Sequence, residues 1–230
     1  MRVRPTRLTR PTRPTRPLKI EAGFVRSAAT AADLPRDGLA EIALAGRSNV
    51  GKSTLINALT RQRLARTSAA PGKTRLANIY RVARGAGAPF YLVDLPGYGY
   101  ARGGRESTRA FDELTRAYFG QVGRVGRVGK TGAPGSPDRP DLPGLAALLL
   151  VDARHAGLQN DVDAWRWLRQ TVASRAIVAT KIDKLSRAER LRALRTNEAV
   201  FEHPVLPVSA ATGEGLDELW KLIDRLTTSA

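Results

Sequence analysis

Apolar positions along this chain gather in short unbroken runs, set apart by longer amphipathic or polar stretches. Ile42-Ala43-Leu44-Ala45, Phe90-Tyr91-Leu92-Val93, Ala176-Ile177-Val178-Ala179 and Val205-Leu206-Pro207-Val208 have strand length, and the longest run extends from Leu145 to Val151. Such runs fit strands covered on both faces. The pattern predicts strands near 39–45, 76–83, 89–94, 145–152, 176–180 and 204–208. It predicts helices near 52–61, 106–119, 160–173, 186–200 and 215–227. Alternation of this kind builds a mostly parallel sheet between two helix layers, with ligands at the strand C-terminal ends. Strands 76–83 and 89–94 are joined only by Arg84-Gly85-Ala86-Gly87-Ala88, short enough for an antiparallel hairpin. The expected fold is therefore a three-layer α/β/α class, with a six-stranded, mostly parallel sheet and one antiparallel edge strand.

Two segments break the pattern. Arg4 to Pro17 reads R-P-T-R-L-T-R-P-T-R-P-T-R-P, and proline at that density denies helix and sheet. Residues 1–22 are expected to be a disordered basic arm and 23–230 one nucleotide-binding domain. The arm suits a non-specific phosphate-binding role, a dispensable extension, or an Arg-rich transit peptide, although it lacks serine. Residues 120–144 are dense in Gly and Pro and read as a flexible insertion. It is either a tolerated surface loop or, through Arg124, Arg127 and Lys130, an RNA contact without the aromatics of a stacking site.

The chemistry begins at Gly46-Arg47-Ser48-Asn49-Val50-Gly51-Lys52-Ser53-Thr54. This is G-x-x-x-x-G-K-[ST], the phosphate-binding P-loop, set between a predicted strand and a predicted helix. Backbone N–H groups and the helix N-terminus there can surround a polyphosphate. Lys52 would reach the β- and γ-phosphates, and the Ser53 hydroxyl would hold Mg²⁺. Asp94-Leu95-Pro96-Gly97 follows at another strand end: Asp94 can hold Mg²⁺ through water, and the Gly97 N–H can meet a γ-phosphate. Thr180-Lys181-Ile182-Asp183 ends a third strand. The Asp183 carboxylate can accept from N1–H and the 2-amino group of guanine, and the Lys181 stem can pack on the base. Val208-Ser209-Ala210 supplies a backbone N–H for guanine O6. Gly72-Lys73-Thr74-Arg75-Leu76 lies between the P-loop helix and the next strand, where Thr74 would bind Mg²⁺ and sense the γ-phosphate. Each short pattern alone is a common turn. Five in order, each beside a predicted strand, define a P-loop NTPase fold that binds GTP and GDP, with Lys52, Thr74 and Gly97 as catalytic candidates.

Composition narrows the setting. A chain of 230 residues with 42% hydrophobic content can bury one large core. It has no cysteine, which excludes disulfides and thiolate metal sites and suits the cytoplasm. No apolar run approaches membrane-span length, and the N-terminus lacks a signal-peptide core. The net charge is +17, from 38 Lys and Arg against 21 Asp and Glu. Residues 1–19 hold +7 of it, leaving +10 elsewhere. Such a balance favours a polyanion, RNA before all, though an Arg-rich solvated surface gives the same sum. Trp165 and Trp167, two apart on a helix, face different sides, one toward the core and the other toward a partner. His155 and His203 read as structural.

Arg66-Thr67-Ser68, Pro71-Gly72-Lys73-Thr74, Asp94-Leu95-Pro96-Gly97-Tyr98-Gly99-Tyr100-Ala101 and Asp152-Ala153-Arg154-His155 together resemble the EngB/YihA (YsxC) family of bacterial ribosome-biogenesis GTPases, of the TRAFAC class. The likeness spans residues 24–226 apart from the insertion. It implies a cytoplasmic, monomeric GTPase acting as a switch in large ribosomal subunit assembly and needed for normal cell division and septation. The implied partner is the large-subunit precursor, its rRNA and proteins, with neither DNA nor membrane involved. The alternative is a GTP-regulated protein-binding module for cell division without ribosome contact. A GTPase of tRNA modification is a weaker rival, since such proteins usually append a further domain. Many GTPases carry a water-orienting glutamine where this chain has Tyr98, so slow basal turnover is expected. Asn49 occupies the position at which K⁺-stimulated GTPases resemble one another. It reads either as a possible K⁺ ligand or as a turn-stabilising side chain.

Overall fold

The structure is a computed structural model, which describes residues 18–35, 37–66, 76–98, 115, 118–119 and 145–228. Within them seven strands form one sheet: β1 (Ile20–Ala28), β2 (Ala40–Gly46), β3 (Ala77–Arg84), β4 (Phe90–Asp94), β5 (Leu145–Asp152), β6 (Ser174–Thr180) and β7 (Val205–Pro207). Their order across the sheet is β1-β3-β4-β2-β5-β6-β7. The neighbours β4, β2, β5, β6 and β7 pair in parallel, while β3 runs antiparallel to both β4 and β1.

Every residue of β4 and nearly all of β2 and β5 are buried, as expected for strands covered on both faces. Alternation along β2 separates two cores. Ala43 and Ala45 point into a cluster with Val93, Leu149, Ile177, Trp165 and Phe201. Ile42 and Leu44 point into another with Leu92, Leu148, Val178, Leu55 and Trp220. The first cluster is roofed by α2 (Gln159–Thr171) and α3 (Arg187–Phe201), the second by α1 (Lys52–Thr60) and α4 (Leu216–Thr228). This is the expected three-layer α/β/α arrangement. The start of α3 is fixed by a capping box: the Ser186 Oγ accepts from the Glu189 N–H, and Glu189 Oε2 accepts from the Ser186 N–H at 2.8 Å.

The expected six strands are seven. The extra one is β1, and it begins at Ile20, inside the segment read as a disordered arm ending at residue 22. It escapes the hydrophobic pattern because much of it faces solvent, it contains Gly23, and a bulge between Phe24 and Arg26 breaks its register. In consequence the antiparallel strand, β3, is not the edge; β1 covers it. Trp165 is buried, and its indole N–H donates to Phe201 O at 3.1 Å. Trp167, the other of the two, is partly buried, with its ring 5.2 Å from that of Phe119. Thr115, Tyr118 and Phe119 are helical and buried, within the helix expected over 106–119. The rest of that helix, Gly72, Lys73, Thr74, Arg75, Tyr100, residues 1–17 and the 120–144 insertion lie outside the described residues.

Candidate functional site

All the described motifs converge on one end of the sheet, because β2, β4, β5, β6 and β7 are parallel and each is followed by one of them. β2 ends at Gly46, β4 at Asp94, β5 at Asp152 and β6 at Thr180, while Val208 follows β7 directly. The chain leaves β2 first toward β3 and β4 on one side and later returns to β5 on the other. That reversal is the topological switch point at which α/β sheets hold their ligands.

The loop after β2 wraps back on itself before α1. Gly51 takes φ 111°, a conformation that a side chain resists, and no side chain caps the helix. The first-turn N–H groups are thus left to an outside acceptor. Asn49 is exposed and left-handed, with φ 62°. Asparagine tolerates that region better than most residues, which gives the turn reading of this position a physical basis. Lys52 is buried, and its Nζ donates to Gly46 O at 3.0 Å and Arg47 O at 3.4 Å. Burial pushes its pKa down, opposed by the nearby Asp94 carboxylate.

Asp94 is equally buried, and burial pushes its pKa up against the pull of Lys52 and Ser53. The Ser53 hydroxyl donates to Asp94 Oδ2 at 2.9 Å, while Oδ1 is buried without a hydrogen-bond partner among the described residues. A buried carboxylate oxygen left unpaired beside a hydroxyl suits a hydrated cation better than an apolar packing role. Gly97 lies hard against the P-loop: a Cβ there would meet Ser48 N at 2.6 Å and Ser48 Cα at 2.7 Å. The two segments form a parallel bridge between Arg47 and Tyr98, and the Ser48 N–H donates to Tyr98 O at 3.1 Å. The Tyr98 phenol donates to Asp161 Oδ1 at 2.8 Å, on the first turn of α2. Burial and the neighbouring Asp161 raise the phenol pKa well above 10.

The base-side residues form a second group. The Thr180 hydroxyl lies 2.7 Å from Val50 O and 3.1 Å from Val151 O, tying β6 to the P-loop. Lys181 is left-handed, with φ 61°, and its Nζ reaches Asn49 O at 2.5 Å and Asp152 Oδ2 at 2.9 Å. Asp183 accepts from the Ser209 hydroxyl at 2.7 Å, which holds its carboxyl below the usual range, and Lys184 Nζ lies 3.3 Å from its other oxygen. Ile182 is buried in the core. The Ser209 N–H donates to Glu214 O at 2.9 Å, so it is engaged within the loop that continues into Ala210. Val208 is buried and bonded on both sides of its backbone. Leu95 is buried, Pro96 follows it, and Leu76 is exposed at the start of β3. Among the described residues no cluster of three His, Asp or Glu could hold a metal, and no helix is long and apolar enough to cross a membrane.

Sequence reasoning missed two parts of this arrangement. Asp152 and Arg154 were conspicuous as a D-A-R-H string and pair locally, but the contact of Asp152 with Lys181 depends on strand register. The only sequence signal was the position of Asp152 at the end of a long apolar strand, where ligands gather. Asp161 carried no signal, being 63 residues from Tyr98 and part of an ordinary helix start.

Fold and motif geometry together are those of a P-loop GTPase. The profile described as "50S ribosome-binding GTPase" matches residues 41–122. A probable GTP-binding protein EngB from Pelotomaculum thermopropionicum is 39% identical over 209 residues, covering 89% of this chain and 94% of the relative. The chain belongs to the EngB family of GTP-binding proteins. Among solved structures, Era in complex with MgGDPNP and nucleotides 1506–1542 of 16S ribosomal RNA aligns with TM-score 0.61 at 21% identity, over 82% of this chain and 56% of that one. A probable GTP-binding protein EngB aligns with TM-score 0.57 at 20% identity, over 83% of this chain and 100% of that one. At these identities the structural likeness speaks for the fold.

Proposed function

We propose that this GTPase is a cytoplasmic, Mg²⁺-dependent switch in large ribosomal subunit assembly, needed for normal cell division and septation. The observation that carries the nucleotide chemistry is the meeting of four motifs at one end of the sheet, around a helix start with no side-chain cap. Support for the ribosomal role is the family description, the +17 charge and the rRNA bound to the structurally similar Era.

In this reading residues 46–54 surround the α- and β-phosphates with backbone N–H groups, and Lys52 reaches the β- and γ-phosphates. Ser53, Thr74 and, through water, Asp94 would hold Mg²⁺, to which the unpaired Asp94 oxygen and the Ser53 hydroxyl are suited. That ion supplies charge neutralisation at the phosphates. The Gly97 N–H donates to the γ-phosphate, and residues 72–76 respond to its presence. Asp183 reads N1–H and the 2-amino group of guanine, Lys181 covers the base, and the Ala210 N–H meets O6. The phenol of Tyr98 is bonded to Asp161, so it does not orient the attacking water, and basal hydrolysis is slow. A monovalent cation, with Asn49 as its candidate ligand, or the ribosomal partner would supply further positive charge at the phosphates.

The test is co-sedimentation of the purified protein with large-subunit precursors in GTP, GDP and no nucleotide, across a salt series. GTP-dependent association is expected to survive deletion of residues 1–19. Capture of division proteins with no ribosomal particle would favour a protein-binding module instead.

A further inference from the structure

The β5–β6 register sets Asp152 opposite Thr180, so the residue after Thr180 emerges beside the Asp152 carboxylate. That residue is Lys181. Its Nζ is held between two acceptors on different elements, Asp152 Oδ2 at 2.9 Å and the P-loop Asn49 O at 2.5 Å. Asp152 is itself held from its other side. Arg154 Nε donates to Oδ1 at 2.9 Å, one of its terminal nitrogens to Oδ2 at 2.7 Å, and its backbone N–H to Oδ1 at 3.1 Å. The carboxylate is nearly buried, whereas the guanidinium is substantially exposed. Burying a carboxylate is costly unless its charge is paired, and here two cations and a backbone N–H pair it. The proposed steps of GTP hydrolysis do not use this cluster, whose hydrogen bond to the P-loop is to the carbonyl of Asn49.

We propose that Asp152 is a positioning residue for guanine binding: with Arg154 bracing it, it locks the Lys181 side chain along the base site and ties the base-reading loop to the P-loop. The proposal rests on the reading of residues 180–183 as the guanine reader. The lysine stem has several rotatable bonds. Without a fixed anchor its freedom would have to be lost at each binding event. The geometry supplies that anchor in advance. The left-handed backbone at Lys181 serves the same end, since it turns the side chain back over the P-loop instead of letting the chain continue as a strand.

Because Lys181 acts on the base and not on the γ-phosphate, loss of Asp152 should weaken GDP and GTP by the same factor. Hydrogen bonds to charged groups suggest about tenfold or more for Asp152→Ala. Asp152→Asn keeps the shape and an acceptor but not the charge, and should fall between wild type and Asp152→Ala. The experiment is a double-mutant cycle on the full chain: wild type, Asp152→Ala, Lys181→Ala and the double variant. Binding of fluorescent GDP and GTP analogues is measured, with thermal melting to confirm folding.

Coupling is expected, so that Asp152→Ala costs at least about threefold less in the Lys181→Ala background than in wild type. Additive losses overturn the proposal, as does a loss confined to GTP. If Asp152→Ala does not fold, the same cycle is run with Asp152→Asn, and an Asp152→Asn protein binding both nucleotides at wild-type affinity overturns it. Failure of the underlying reading looks different. Lys181→Ala alone would then leave GDP affinity unchanged, whereas in failure of the proposal alone Lys181→Ala weakens binding and Asp152 is indifferent to it.

Discussion

Replacing Gly97 by alanine probes the contact between the D-x-x-G segment and the P-loop. The added methyl would sit 2.6 Å from Ser48 N, 2.7 Å from Ser48 Cα and 2.8 Å from Ser48 Oγ. Two of these neighbours are backbone atoms, which cannot rotate aside as a flexible side-chain end would. The clash is therefore relieved by parting the two segments. That breaks the Ser48 N–H to Tyr98 O bond and loosens the Tyr98–Asp161 bond that depends on it. Overpacking of this kind costs about 1–3 kcal/mol. In a domain of this size each kcal/mol moves the melting temperature by about 2–4 °C, so Gly97→Ala should melt about 2–12 °C lower. Amide hydrogen exchange at Ser48 reads the bridge directly and should speed up. GTP turnover should fall more than GDP affinity, since the proposed Gly97 donor serves the γ-phosphate alone. Unchanged melting together with unchanged Ser48 exchange would refute the steric argument. An equal loss of GDP and GTP binding would refute the γ-phosphate role.

Asp183→Asn should weaken GTP at least about tenfold by removing a charge-assisted pair, and should gain relative affinity for XTP, read by competition binding. Thr74→Ala should spare GDP affinity while removing the distinction between GTP and GDP states in ribosome binding. Single-turnover hydrolysis in KCl should exceed that in NaCl, and Asn49→Ala should abolish the difference with little loss of GDP; equal rates in wild type would end the cation idea. Acid stability should show a step from Asp152. Burial pushes its carboxyl up, but bonds from Arg154 and Lys181 outweigh this and bring its pKa from 3.8 to about 2. A lowered folded-state pKa gives stability that is complete above about pH 4 and lost as pH falls toward 2. This amounts to about 2 kcal/mol at about 1.4 kcal/mol per pH unit. Asp152→Asn should flatten that part of a melting-temperature profile.

The parallel strands were legible in the sequence because burial on both faces leaves an unbroken apolar run, as in Leu145–Asp152. The P-loop was legible because its glycines and Lys52 serve backbone geometry and phosphate charge, which leave fixed spacings. β1 was not, since its alternation, Ile20, Ala22 and Phe24, is short and ends at the bulge between Phe24 and Arg26. The Asp152–Lys181 and Tyr98–Asp161 contacts were hidden for a different reason. Each joins residues that only the sheet register or the helix packing brings together, and neither partner is unusual where it stands. The tryptophan pair was legible only in part, because helical spacing says which side a residue faces but not what covers that side.

The strand order has a further consequence for how this protein can change over time. β2 carries the P-loop at the middle, with β4 and the D-x-x-G segment on one flank and β5, β6 and β7 with the base-side loops on the other. In the proposed reading, one flank registers how many phosphates are present and the other which base is attached. They share the P-loop strand between them but have separate loops. Substitutions that retune the timing of the switch can therefore accumulate on the β4 side without eroding the choice of nucleotide. The same separation lets a partner grip the timing flank while the base stays seated.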